Sequence, residues 1–134
     1  KVGSKAEISQ ALISNGTIVA GRVKKSILSP GVIIHPGATV VNSVILNDTE
    51  ILPGTYIENE IIDKRSIIGP NVTIGHGEDY TPNIERPDLL ESGINVIGAN
   101  VIIKEGTVIE RNCRIFGKSV IENERITSGS TIQK

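Results

Sequence analysis

The sequence predicts an all-β protein in which short strands wind into a three-sided solenoid of about six coils, with one protruding loop. Three observations carry this expectation. Near copies of one pattern, "IIHPGATVVN" (33–42), "ILPGTYIEN" (51–59) and "IIGPNVTIGH" (67–76), recur in register every 17 residues. Single aliphatic residues recur every five or six positions between them. The apolar content is 24 Ile, 12 Val and 6 Leu against one Phe, two Tyr, no Trp and no Met, a β-branched inventory that favours strands.

The first coil is tight, with Ile8, Ile13, Ile18, Val23 and Leu28 spaced by five. From Leu28 the series runs Ile34, Val40, Ile45, Ile51, Ile57, Ile62, Ile68 and Ile74, in steps of six, six and five. Three such steps make one turn of 17 residues, a triangle with one clipped side. Pro36, Pro53 and Pro70 fall in one column, followed by Gly37, Gly54 and Asn71, so this column is a corner. After the insertion, Ile97, Ile103, Ile109, Ile115 and Ile121 step by six, and the small residues Val101, Thr107, Cys113 and Ser119 lie four beyond the first four of them. Cys113 therefore reads as a buried structural thiol, and a lone cysteine forms no intrachain disulfide. On the clipped side the residue four along is large (Leu12, Ile27, Val44, Ile61), and it is expected to fill room at the shortened corner. Phe116 and Tyr56, each one step from an inward Ile, are expected to point outward.

A helix cannot carry a six-residue period, which drifts around its surface and leaves no apolar face. Strands stacked coil on coil can, each coil burying what its neighbour exposes. The register breaks between Ile74 and Ile97, across two prolines and the acidic residues Glu78, Asp79, Glu85, Asp88 and Glu91. This assigns coils to about 8–76 and 94–132 and an inserted loop to about 77–93, in one domain spanning 1–134. A chain that starts at Lys1 without a methionine reads as a domain cut from something longer.

Fourteen basic and fifteen acidic residues leave a net charge of -1, and no run of Lys or Arg exceeds two. That balance predicts no nucleic-acid partner and no anionic membrane surface. There is no long apolar span and no secretory leader pattern, so a cytoplasmic location is expected. Asn15-Gly16-Thr17, Asn47-Asp48-Thr49 and Asn71-Val72-Thr73 then serve as turn residues rather than glycan acceptors.

Chemistry is sparse. His35 and His76, the two histidines, are too few for a three-histidine zinc site, and spacing gives neither a partner. No nucleophile triad, phosphate-binding loop or cysteine cluster is present, so neither a catalytic residue nor a metal ligand is assigned. The acidic loop residues offer a cation or acid–base pair only at irregular spacing. Two basic pairs, Lys24-Lys25 and Lys64-Arg65, lie near the ends of coil sides, where they are suited to holding a phosphate or carboxylate or to keeping the outer faces charged.

"ALISNGTIVAGRVKKSILSPGVIIHPGATVVNSVIL", "IIDKRSIIGPNVTIG", a polar loop and "SGINVIG", in that order, resemble the C-terminal domain of glucose-1-phosphate adenylyltransferase, over about Ala6 to Ile115. The resemblance implies a left-handed parallel β-helix. It also implies an N-terminal nucleotidyltransferase domain as partner, which joins ATP and glucose 1-phosphate into ADP-glucose for glycogen or starch synthesis with Mg²⁺. This domain would then be structural and regulatory rather than catalytic, would help build an oligomer, and would bind a phosphorylated small-molecule effector. Lys64 matches the lysine of the family's "I-I-D-K" motif, with Arg65, Lys24 and Lys25 as further effector candidates. The residue aligned with a second effector lysine of the plant members is Ala99, a departure from plant-type regulation. Two alternatives stay open: a relative acting on another sugar, such as mannose-1-phosphate guanylyltransferase, and a free-standing hexapeptide acyltransferase with His35 or His76 as base.

Overall fold

The computed structural model describes residues 1–122 and 124–133. Every regular element among them is a strand of two or three residues, and the strands form three parallel sheets, the faces of a prism. The first face stacks Glu7–Ser9, Arg22–Lys24, Thr39–Val41, Tyr56–Glu58, Thr73–Ile74, Val108–Ile109 and Arg125–Ile126. The second stacks Leu12–Ile13, Ile27–Leu28, Val44–Ile45, Glu60–Ile62, Asn95–Ile97, Arg114–Phe116 and Thr131–Gln133. The third stacks Ile18–Val19, Ile33–Ile34, Glu50–Ile51, Ile67–Ile68, Ile102–Ile103 and Val120–Ile121. Each strand pairs with the one a full turn away, so consecutive strands lie on different faces. There are about seven turns where the spacing suggested about six, and the first full turn takes 15 residues, Glu7 pairing with Arg22 and Ile18 with Ile33, before the 17-residue turns begin with Arg22 on Thr39.

The inward stripes are those of the sequence pattern. Leu28, Ile45, Ile62, Ile97 and Ile115 line the second face, Ile34, Ile51, Ile68, Ile103 and Ile121 the third, and all are essentially fully buried. A narrow prism with one large inward residue per strand has no room for aromatic rings. Tyr56 is exposed and Phe116 half-buried, both on outer faces.

Corners need a left-handed residue, and the chain supplies one at nearly every bend. Gly37 and Gly54, behind the proline column, have φ of 80° and 77°, and Asn71 continues the column at 53°. Asn42, Asp48, Asn59, Asn100 and Asn112 do the same elsewhere, as their short polar side chains allow. Lys25 (φ 51°) and Arg65 (φ 55°) occupy such positions as well, without that advantage.

The clipped side works differently from the expectation. Leu12, Ile27 and Ile61 point outward and are 69%, 45% and 40% exposed, and Val44 is half-buried on the same outer face. When a side is five residues long, the position four along becomes the neighbour of the next inward residue and alternation turns it to solvent. The inward corner slot instead belongs to the residue two before each inward aliphatic of the second face: Ser26, Ser43, Glu60, Asn95 and Cys113, all buried.

The insertion is not thrown clear of the coil. Strands stop at Ile74 and resume at Asn95, and Ile61 pairs directly with Val96, so the segment between is set aside without disturbing the stack. It folds back as a strap along the corner between the first and second faces. Asn83 is fully buried and Leu90 nearly so.

Candidate functional site

The densest polar cluster lies at the corner under this strap, and it grows out of the slot just described. Ser26 Oγ accepts the Ser43 N–H (3.1 Å), and Ser43 Oγ accepts the Glu60 N–H (3.0 Å). One turn later the slot holds a carboxyl: Glu60 Oε2 accepts from Asn95 Nδ2 at 2.8 Å. Asn95 also donates to the Glu110 carbonyl (2.7 Å) and accepts from the Cys113 N–H (2.7 Å). Small hydroxyls in the early turns thus give way to large polar groups where the strap covers the corner.

Burial pushes the Glu60 carboxyl well above the ordinary carboxylate range, against the hydrogen bond from Asn95 and the field of Arg111. Its Oε1 has no hydrogen-bond partner among the described residues, and neither has Nη1 of the buried Arg111. Burial likewise raises the Cys113 thiol to about 11, as befits an inert structural cysteine.

Arg111, Asn112, Asn83 and Ser128 attach the strap. Arg111 donates from Nε to the Gly77 carbonyl (2.6 Å), pairs through Nη2 with Glu58 (3.1 Å) and lies 4.6 Å from the Tyr80 ring centroid. Asn112 Nδ2 reaches the carbonyls of Tyr80 and Thr81, both at 3.2 Å, while its Oδ1 takes the Gly93 N–H at 2.8 Å. Ser128 Oγ donates to the Asp79 carbonyl at 2.6 Å. Asn83 Nδ2 donates to the carbonyls of Asn112 and Ser130, and its Oδ1 accepts the N–H groups of Glu85 and Arg86. None of these residues stands out in the sequence by motif. The signal that was there is positional: the column two before each inward aliphatic turns from Ser to Glu and Asn at the turn that carries the insertion.

Three of the acidic strap residues have polar or charged neighbours. Asp79 caps Thr81, Asp88 pairs with Arg86 at 3.1 Å, and Glu85 stands 3.9 Å from Arg114. Among the described residues no three His, Cys, Asp or Glu side chains converge on a metal position. His35 bonds Glu50 through Nε2 (2.6 Å) on the third face, and His76 sits where the strap leaves the first.

The basic pairs are exposed at two different corners. Lys24 ends a first-face strand and Lys25 turns the corner into the second face. Lys64 and Arg65 turn the next corner, where Arg65 Nε bonds Asn100 Oδ1 at 3.2 Å. The fold keeps the members of each pair adjacent and does not bring the two pairs into one pocket.

These features define a rigid, all-parallel β-solenoid of the hexapeptide-repeat class, with its polar elaboration concentrated at one strapped corner. Residues 1–97 match the family described as GlmU-like, C-terminal hexapeptide, and the chain belongs to that family. It is 33% identical over 127 residues to glucose-1-phosphate adenylyltransferase of Acetivibrio thermocellus, covering 95% of this chain and 28% of that protein. It is 31% identical over 131 residues to the Fervidobacterium nodosum protein of the same name, with 98% and 30% covered. The chain thus spans less than a third of the length of these relatives, in their C-terminal part. Among solved structures it resembles Francisella novicida UDP-N-acetylglucosamine acyltransferase, with a TM-score of 0.69 at 16% identity over 98% of this chain and 58% of the other. The acetyltransferase domain of PglB from Neisseria gonorrhoeae follows at 0.54 and 15%, covering 99% and 53%. Identities this low speak for the solenoid alone.

Proposed function

We propose that this chain is the C-terminal, non-catalytic solenoid domain of a glucose-1-phosphate adenylyltransferase acting in the cytoplasm. In such an enzyme a nucleotidyltransferase body with its Mg²⁺ condenses ATP and glucose 1-phosphate, and the prism serves as its docking partner, oligomer contact and regulatory arm. The observation that carries this reading is the alignment that spans 95% of this chain and only 28% of the Acetivibrio relative. The architecture supports it, because a prism with fully buried stripes keeps its shape and can hold a partner at a fixed distance. No helix among the described residues is long and apolar enough to cross a membrane. Lys64 and Arg65 at one corner, and Lys24 and Lys25 at another, act in this reading as two separate contacts for a phosphorylated effector bound against a neighbouring body.

A chimera tests this. The chain replaces the matching C-terminal part of the Acetivibrio enzyme, and ADP-glucose formation is followed with and without phosphorylated sugars. The chimera is expected to assemble and turn over within about tenfold of the parent, and Lys64→Ala or Lys24→Ala to blunt the effector response without changing basal rate. The chain alone is expected to form no ADP-glucose. Turnover by the chain alone, or a folded chimera without activity, would overturn the proposal.

A further inference from the structure

The strap is held at two unlike ends. Its far end is pinned by Asn83, a neutral residue that is fully buried and hydrogen-bonded through both side-chain atoms. Its near end, Gly77 to Thr81, combines neutral anchors with one charged one: Asn112 and Ser128 hold the carbonyls of Asp79, Tyr80 and Thr81, while the Arg111 guanidinium binds the Gly77 carbonyl and stacks on Tyr80. The Arg111 side chain is only 6% exposed, and its pairing with Glu58 is partial, since Nη1 is left without a partner. Within reach of the Arg111 field, in the same corner slot, stands Glu60, fully buried, with Oε2 on Asn95 and Oε1 also without a partner among the described residues. Two orphaned polar atoms of complementary character in one buried cluster make a latent ion pair, because buried groups of this kind seek partners strongly.

We propose that the strap is a proton-linked clasp, latched by Arg111 while the Glu60 carboxyl is neutral and loosened at its near end when that carboxyl ionises. A neutral Glu60 makes no charge demand on Arg111, so the guanidinium serves Glu58, Gly77 and Tyr80. An ionised Glu60 is a buried anion, and the cation whose field reaches it among the described residues is Arg111. The guanidinium is a planar fork whose three nitrogens move together, so in the clasp any turn that draws it toward the Glu60 carboxylate weakens Nε on the Gly77 carbonyl and the stacking on Tyr80. The other groups around Glu60 do not relieve its charge. Glu58 on the adjacent first-face strand repels it, Asn95 already donates to it, and the Glu110 carboxylate is engaged by Arg125 and Ser128. The Cys113 thiol is itself raised, chiefly by burial and further by the fields of Glu60 and Glu110, and Tyr56 is engaged by Glu58. Neutral Asn83 continues to hold the far end, so the motion is confined to Gly77–Thr81.

The test uses the whole chain and two readouts. In nuclear magnetic resonance titrations the Glu60 carboxyl carbon, the Gly77 amide and the Tyr80 ring are expected to move with one midpoint, while Asn83 does not. Chymotryptic cleavage after Tyr80, normalised to a free peptide at each pH, is expected to accelerate roughly tenfold across that midpoint. Arg111→Lys is expected to be cut fast at every pH, and Glu60→Gln slowly at every pH. Should Glu60→Gln fail to fold, the wild-type titration alone decides. A Glu60 midpoint unaccompanied by Gly77 and Tyr80, or a pH-independent cleavage rate in the wild type, overturns the clasp.

Discussion

The corner between the first and second faces runs the length of the prism, but its two halves are built differently. In the early turns the slot holds Ser26 and Ser43, each accepting the N–H of the turn above, and the outer bend carries Asn42 bonded to Asn59 at 2.6 Å in the open. In the later turns the same slot holds Glu60, Asn95 and Cys113, and the bend residue Asn112 is fully buried under the strap. A triangular coil with one clipped side leaves a narrow slot that hydroxyls fill unaided. Large or ionisable groups fit there only where a second layer of chain supplies partners and excludes water. The insertion and the buried polar cluster are therefore one construction, and the regular half shows what the corner looks like without it.

The sharpest break in this comparison is expected from removing the same side chain in both halves. Asn112→Ala leaves the Gly93 N–H and the Tyr80 and Thr81 carbonyls without their partner and forces alanine into φ 59°. Its expected cost is about 3 kcal/mol in the urea midpoint. Asn42→Ala has the same left-handed bend (φ 48°) but only one exposed bond to lose, and should cost about 1 kcal/mol. Equal losses at the two sites would show that the strap adds nothing to the corner.

Glu60→Gln separates the halves by pH rather than by size. Burial raises the folded-state carboxyl well above its ordinary range, so the native protein holds a proton that the unfolded chain releases. Stability from this group therefore falls as pH rises from the ordinary glutamate value, near 4.3, up to the folded value, and is level outside that window. Glutamine mimics the neutral acid and carries no such slope. The variant is expected to be more stable than the parent at pH 8, with the advantage shrinking as pH approaches 4. Ser43→Ala in the regular half should leave the pH profile unchanged. Parallel profiles for Glu60→Gln and the parent would mean that the carboxyl is charged in the fold.

The contrast also explains what could be read in advance. The stripes, the clipped side, the proline corner and the place of the insertion follow from spacing, because each coil repeats the same local steric problem and the chain answers with the same residue types. The outward fate of Leu12, Ile27 and Ile61 was hidden because it depends on which corner position a five-residue side removes, a matter of three-dimensional alternation. Arg111 and Asn83 were hidden more deeply. Arg111 reaches Glu58 across 53 residues and Asn83 reaches Asn112 across 29, spans that no local pattern connects.

The smallest effect bears on the basic corners, where two roles pull in opposite directions. Lys25 and Arg65 sit at φ 51° and 55°, a conformation that asparagine tolerates better than a long side chain. If these residues serve only the bend, Lys25→Asn should raise stability by about 0.5 kcal/mol and Arg65→Asn by somewhat less, with nothing else changed. If they meet a phosphorylated ligand, the same variants should gain that stability while losing the rise in thermal midpoint that added sugar phosphate gives the effector-responsive chimera. Arg65, tied through Nε to Asn100 at 3.2 Å, is the stricter case. Arg65→Asn is expected to lose that contact and so to gain less than Lys25→Asn, and the reverse order in thermal melts would show that the Asn100 bond contributes nothing at this bend.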